Sequence, residues 1–311
     1  MDIVLAILLL IVGFVLLIKG ADWFVDGASG IAARFGIPQL VIGLTIVAMG
    51  TSAPEAAVSI TAANTGNAGI TVGNVVGSNI MNVLVILGIT AVITSIAVQK
   101  STICYEIPFM LVITLVCMVL GSTGGEIVLW EGIVLWALFL LYLGYLFMMA
   151  KKGTSDEEES EKVRALWQQI AMLIIGGVGI VFGSDLTVDN ASIIAETLGM
   201  DDRLIGLTIV AFGTSLPELV TSVTAARKGS ADIAIGNIVG SNIFNILFVI
   251  GTTALITPVE FKMSFMVDFI IAIVAGVLLW FGVIKDKNLK RPVGIIMLVA
   301  YAAYFVYLLI G

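Results

Sequence analysis

Two glutamates, Glu55 and Glu218, sit deep inside apolar stretches of the chain, 39–63 and 204–226. At the middle of a bilayer one ionised carboxylate costs about 3 kcal/mol on insertion scales. No Lys or Arg lies in the middle of any apolar stretch. Either protons or bound cations must therefore neutralise the pair. Hydroxyls flank each acid: Thr51 and Ser52 beside Glu55, Thr214 and Ser215 beside Glu218. Pro54 and Pro217 lack an N–H and clash with the carbonyls four residues back, at Gly50 and Gly213. They predict broken helices with carbonyls freed around Ala48 to Gly50 and Ala211 to Gly213. Ala48, Ser52 and Glu55 follow an i, i+4, i+7 spacing and share one helical stripe. A second pair of segments adds Ser78 with Asn82 and Ser241 with Asn245, each i, i+4. Carboxylates, hydroxyls, amide oxygens and carbonyls, without sulfur or imidazole, form a ligand set for hard cations.

The same chemistry fits calcium, which takes roughly six to eight oxygens, and sodium, which accepts the same ligands with less charge. Two carboxylates balance one calcium or two sodium ions. Asn74, Asn79, Asn237 and Asn242 are further candidates, read more readily as ties between loosened backbone and neighbouring helices. Gly73, Gly77, Gly236 and Gly240 predict close helix approach. The chain has no histidine. Histidine-ligated metal sites, Ser-His intramembrane proteolysis and histidine proton relays are excluded. Cys104 and Cys117, thirteen residues apart, would stand about 20 Å apart on one helix, beyond disulfide reach.

The elements that position these residues are membrane spans. Of 311 residues, 59% are hydrophobic and 12% charged, against about 25% charged in soluble domains. Apolar stretches at 3–18, 39–63, 71–97, 105–121, 127–149, 166–183, 204–226, 233–256, 264–284 and 293–310 predict ten spans. The first helix has room to run on past Asp22 toward Arg34. The opening MDIVLAILLL carries Asp2 where a secretory signal would carry a basic residue, so it reads as the first span. Of the fifteen Lys and Arg residues, thirteen fall in odd-numbered loops. The positive-inside rule then predicts both termini outside, in a multi-pass protein of the cell membrane. No basic cluster suits a nucleic-acid backbone.

The chain also repeats itself. GLTIVAMGTSAPE at 43–55 returns as GLTIVAFGTSLPE at 206–218, and GNVVGSNIMN at 73–82 as GNIVGSNIFN at 236–245. GADWFVDGAS at 20–29 and GSDLTVDNAS at 183–192 form a weaker pair. All three share an offset of 163 residues. The expected fold is all-α, ten transmembrane helices in two units of five, at 1–149 and 166–311. An odd number of spans per unit inverts the second copy, an arrangement common in secondary transporters. Segment 150–165, polar and acidic, reads as a solvated cytoplasmic linker rather than a calcium sensor.

At GTSAPE with GSNIMN, and GTSLPE with GSNIFN, the chain resembles the cation/calcium exchanger superfamily, specifically prokaryotic sodium/calcium exchangers. The resemblance covers the whole chain. It implies sodium-driven calcium export by alternating access, with the first and sixth helices sliding over a fixed core. By residue-wise match the implied ligands are the Ala48 carbonyl, Thr51, Ser52, Glu55, Ser78 and Asn82, with the Ala211 carbonyl, Thr214, Ser215, Glu218, Ser241 and Asn245. The implied partners are the lipid bilayer and the transported calcium and sodium ions, with no cofactor and a monomer as working unit. Some family members carry Asp in place of Asn82 or Asn245, and potassium-dependent exchangers tie an Asp on the second repeat to potassium. Asn at both positions points away from potassium. The glutamate-containing third-helix signature of proton-coupled relatives is absent. A proton-coupled exchanger is the nearest competing reading and a cation channel the next. No catalytic dyad suggests an enzyme.

Overall fold

The computed structural model describes residues 3–64, 68–152, 164–199 and 211–310. Residues 153–163 of the expected linker, and 204–210 at the start of the seventh expected span, lie outside the described residues. Helix α1 runs unbroken over Ile3–Phe35. A bent pair follows, α2 (Gln39–Thr51) and α3 (Ala53–Asn64), then α4 (Gly69–Ile93), α5 (Thr102–Gly124) and α6 (Leu129–Lys152). The second half holds α7 (Leu166–Thr197), the short α8 (Ala211–Gly213), α9 (Leu216–Arg227), α10 (Ala231–Ile256), α11 (Phe265–Ile284) and α12 (Arg291–Ile310). Among the described residues eight helices are long and apolar enough to cross a bilayer, and the bent α2–α3 pair makes a ninth. The chain is an all-helical membrane protein.

Helices α1 and α7 are longer than the apolar stretches 3–18 and 166–183 that announced them. Each continues into a polar stretch, past Asp22 and Asp26 in α1 and past Asp185 and Asp189 in α7. The two pack along their whole length on small residues. A Cβ on Gly20 would stand 2.8 Å from the Gly176 carbonyl, one on Gly183 2.8 Å from the Gly13 carbonyl, and one on Gly27 2.7 Å from the Gln169 carbonyl. Such contacts let backbones approach where lipid removes any hydrophobic drive between helices. Gly13 faces Gly183 while Gly27 faces Gln169, so the helices run antiparallel. Their outer faces carry exposed Val4, Leu8, Ile11, Ile174 and Phe182 toward lipid.

Helices α4 and α10 form the centre. Val72, Val76, Ile80 and Ile86 of α4, and Ile235, Val239, Ile243 and Ile250 of α10, are fully buried or nearly so. Both lose α-helical pitch at one place, where π-helical turns span Asn82–Leu87 and Asn245–Ile250. π-Turns inside helices are frequent at functional sites. Four two-residue strands clip the loops together. Ile96–Ala97 (β1) pairs antiparallel with Asn288–Leu289 (β4), and Glu126–Ile127 (β2) with Val259–Glu260 (β3). Each pair joins one half of the chain to the other.

Candidate ion-binding site

The predicted helix breaks are present. The α2–α3 pair bends by 49°. Ser52 sits at φ −86°, ψ 8°, and Ser215 at φ −92°, ψ 3°. Both occupy the sparsely allowed bridge region, where many active-site residues are found. One detail differs from the expectation. The Ala48 carbonyl is not freed: it still accepts the Ser52 N–H at 3.0 Å. Pro54 removes the bond to Gly50 rather than the one to Ala48. The Ala48 carbonyl also accepts Ser241 Oγ at 3.4 Å. The Gly213 carbonyl, which Pro217 cannot reach, is taken by Ser184 Oγ of α7 at 2.9 Å.

The two halves meet at the glutamates. Glu55 and Glu218 are 1% and 0% exposed. Ser52 Oγ donates to Glu218 Oε1 across the repeat at 2.8 Å. Thr51 Oγ1 lies 3.0 Å from Asn237 Oδ1 and 3.3 Å from the Ala48 carbonyl, with one proton to place. Among the described residues Glu55 Oε2 and Glu218 Oε2 have no protein partner. The ion pairs among the described residues join Arg164, Lys228, Lys262 and Lys290 to other acids, and none involves either glutamate.

The asparagines divide into two roles. Asn79 Nδ2 donates to the Asn242 carbonyl at 3.1 Å, and Asn242 Nδ2 returns the bond to the Asn79 carbonyl at 3.1 Å. Asn82 Nδ2 donates to Asn242 Oδ1 at 2.9 Å, and Asn245 Nδ2 to Asn79 Oδ1 at 3.1 Å. Every amide N–H₂ in this ring is directed at another member. Asn82 Oδ1 and Asn245 Oδ1 are left buried with no protein partner among the described residues. Outside the ring, Asn74 Nδ2 reaches Ser59 Oγ at 3.0 Å and the Glu55 carbonyl at 3.3 Å. Asn237 Nδ2 reaches Ser222 Oγ at 2.9 Å and the Glu218 carbonyl at 3.4 Å. Asn74, Asn79, Asn237 and Asn242 thus tie helices together, as expected.

The remaining candidates fall around the same place on the helices. Ser78 and Ser241 are buried, and Ser215 is buried with Oγ unpartnered. Thr214 is half-buried where its counterpart Thr51 is 1% exposed. Ala211 opens α8, and its side chain lies outside the described residues. A Cβ on Gly240 would stand 2.8 Å from the Leu44 Cα and carbonyl and 2.9 Å from the Ala48 Cβ, so this glycine lets α10 reach the broken helix. Gly73 and Gly77 make no comparable backbone contact among the described residues. Sequence reading missed Ser184, Ser59 and Ser222. Ser184 falls in the weaker repeat segment at 183–192 and Ser59 and Ser222 in no quoted motif, and only the packing brings them to freed carbonyls and amides.

A family model described as sodium/calcium exchanger protein matches residues 5–148 and 168–310. The chain belongs to the sodium/calcium exchanger family. It is similar to sodium/calcium exchanger MaX1 of Methanosarcina acetivorans, 33% identical over 343 aligned residues that cover 97% of each chain. Inner membrane protein YrbG of Escherichia coli is 37% identical over 309 residues, covering 94% of this chain and 93% of that one. Among solved structures, the sodium-calcium exchanger NCX_Mj soaked with zero Na+ and Ca2+ superposes with a TM-score of 0.85 at 33% identity. It covers 98% of this chain and 99% of that chain. The exchanger resemblance read from GTSAPE and GTSLPE is thereby established, and with it cation/calcium exchange across a membrane as the class of activity.

Proposed function

We propose that this exchanger exports calcium by alternating access, driven by the sodium gradient, and that Glu55 and Glu218 hold the transported ions. One observation carries this reading. Among the described residues, two buried carboxylates, each with an unpartnered oxygen, accompany buried unpartnered amide oxygens on Asn82 and Asn245, and no basic residue pairs with either acid. Only a cation or protons complete such a group. The oxygen-only donor set fits calcium and sodium. The proposed ligands are the twelve residues named from the resemblance, with Ala48 and Ala211 acting through their carbonyls. The Ala48 carbonyl would take an ion in place of the long 3.4 Å bond from Ser241 Oγ, keeping its helical bond.

Ten spans in two inverted repeats are the proposed frame. Helices α1 and α7, one repeat apart in sequence, run antiparallel against each other. That is the relation inversion requires. The strand pairs agree with the span parity: β1 and β4 belong to the third and ninth loops, β2 and β3 to the fourth and eighth. The first face carries Lys100, Lys285, Lys287, Lys290 and Arg291. It is the proposed cytoplasmic side, which puts both termini outside in the plasma membrane. Helices α1 and α7, joined through glycines, are proposed to slide as a pair over the core of α4 and α10. A monomer suffices, since both halves of the site lie on one chain.

Sodium-gradient-driven calcium uptake into proteoliposomes tests the reading. Uptake should follow the sodium gradient and vanish in Glu55→Gln and Glu218→Gln. Uptake driven by a proton gradient without sodium would replace it with proton coupling. Unitary currents far above carrier turnover would replace it with a channel.

A further inference from the structure

Another buried carboxylate lies away from the proposed ion site. Glu106, in the first turns of α5, is 1% exposed. It lines a cavity of about 310 Å³ between the start of α5 and the end of α6. Neither helix contributes any of the twelve proposed ligands. Tyr145 of α6 donates its hydroxyl to Glu106 Oε1. Glu106 Oε2 and the Tyr142 hydroxyl, both buried, have no protein partner among the described residues.

The rest of the wall is mostly aromatic, completed by Cys104 and Leu141. Phe109 stacks on Tyr142 with centroids 5.5 Å apart and planes at 12°. Tyr105 tilts against Tyr145 at 6.5 Å and is itself 64% exposed. Leu141, 70% exposed, opens the cavity toward the lipid face. Glu106 stands six residues past Lys100, and Tyr145 six before Lys151. Six helical residues rise about 9 Å, so the cavity sits just beneath the level where these lysines meet the headgroups.

The repeat shows that the scaffold does not need polar groups at the positions of Glu106 and Tyr142. At the positions 163 residues on, Glu106 becomes Phe269, fully buried, and Tyr142 becomes Phe305. The sister half keeps its own acid, Asp268, one position earlier, where Tyr304 donates to it at 2.8 Å. At these equivalent positions only the first half leaves a buried carboxylate oxygen and a buried phenol without partners among the described residues.

The occupant must bring positive charge or donors, because no described Lys or Arg pairs with Glu106. A metal ion is a poor fit, since a hard cation needs six or more oxygens and this wall supplies one carboxylate and phenols. Aromatic faces beside a carboxylate instead select organic ammonium groups, which the ring quadrupoles attract. We propose that the α5–α6 cavity binds an alkylammonium group, brought by an aminophospholipid headgroup or by a soluble amine.

The test uses the full-length exchanger, delipidated in detergent. Short-chain phosphatidylethanolamine and matched phosphatidylglycerol are titrated separately, and bound lipid is counted by native mass spectrometry. Propylammonium chloride forms a third arm, followed by tyrosine fluorescence. The expected result is phosphatidylethanolamine retained about tenfold more tightly than phosphatidylglycerol, the scale of one cation–π contact. The preference should fall to parity in Glu106→Gln and weaken in Tyr142→Leu. Saturable propylammonium binding lost in Glu106→Gln, without a lipid preference, supports the same site with a soluble source. Equal retention of both lipids and no saturable propylammonium binding overturns the proposal. A preference that survives Glu106→Gln overturns it too. Should Glu106→Gln not fold, the parent protein's lipid comparison and Tyr142→Leu decide the matter.

Discussion

Ser52 Oγ donates to Glu218 Oε1 at 2.8 Å, so the serine of one repeat serves the glutamate of the other. Ser215, its counterpart, is buried with no partner for its hydroxyl among the described residues. The two serines should therefore respond differently to removal. A hydrogen bond to a charged group contributes about 1.5–3 kcal/mol. Ser52→Ala should lower the ion-free melting temperature and the apparent calcium affinity together. Ser215→Ala should leave ion-free melting nearly unchanged and reduce only the rise that calcium gives. Thermal melts with and without calcium, beside calcium flux, separate the two outcomes.

Glu55→Gln and Glu218→Gln each remove a carboxylate from a place with no protein counter-charge. Ligand binding stabilises by about 2.7 kcal/mol at a hundred times Kd. Both variants should lose most of that ion-dependent stabilisation and all measurable exchange, while melting at or above the parent without ions. A calcium-dependent melting shift of parental size in either variant would remove that glutamate from the site.

Asn79 and Asn242 exchange reciprocal bonds at 3.1 Å across the repeat and also accept the amides of Asn245 and Asn82. Replacing Asn79 by Ala leaves the Asn245 amide without its acceptor and removes a donor from the Asn242 carbonyl. Each unsatisfied buried group costs about 1–3 kcal/mol. The melting temperature should fall, and calcium affinity with it, because Asn245 Oδ1 is no longer held toward the site. Flux that persists at parental affinity in a destabilised Asn79→Ala would separate the tie from the site.

Gly240→Ala would place a methyl 2.8 Å from Leu44 backbone, whereas Gly144 has open space around it. Overpacking costs about 1–3 kcal/mol, and Ala is about 1 kcal/mol better than Gly in a helix. Gly240→Ala should destabilise the protein and abolish exchange, and Gly144→Ala should be neutral or stabilising. Equal melting of the two variants would show that α10 does not need that approach.

Lys228 Nζ reaches Asp26 Oδ1 at 2.7 Å and the Asp22 carbonyl at 2.9 Å, tying the turn after α9 to α1. The groups are 31% to 39% exposed, so the tie contributes no more than about 1 kcal/mol. Thr65 stands at the repeat-equivalent position in the sequence, without a charge. Lys228→Gln should leave melting almost unchanged and alter the relative accessibility of the two membrane faces, read by cysteine labelling at Ser78 and Ser241 sites. Unaltered labelling would make the tie a surface contact only.

Much of this protein was legible in its residues. An apolar chain with few charges requires a bilayer as solvent, and the 163-residue repeat requires two equivalent units. Pro54 and Pro217 announce the breaks because a missing N–H is a local covalent fact. Glu55 and Glu218 announce the candidate site because a charge in an apolar span has so few ways to be neutralised. Asparagine is different. Its amide donates and accepts alike, so local pattern leaves Asn79, Asn82, Asn242 and Asn245 as equals. Packing alone turned two of them into ties and left the oxygens of the other two unpartnered. Tertiary structure also chose Glu218 for Ser52 and the Gly213 carbonyl for Ser184. Such long-range pairings depend on which helix faces meet, and no local pattern encodes that.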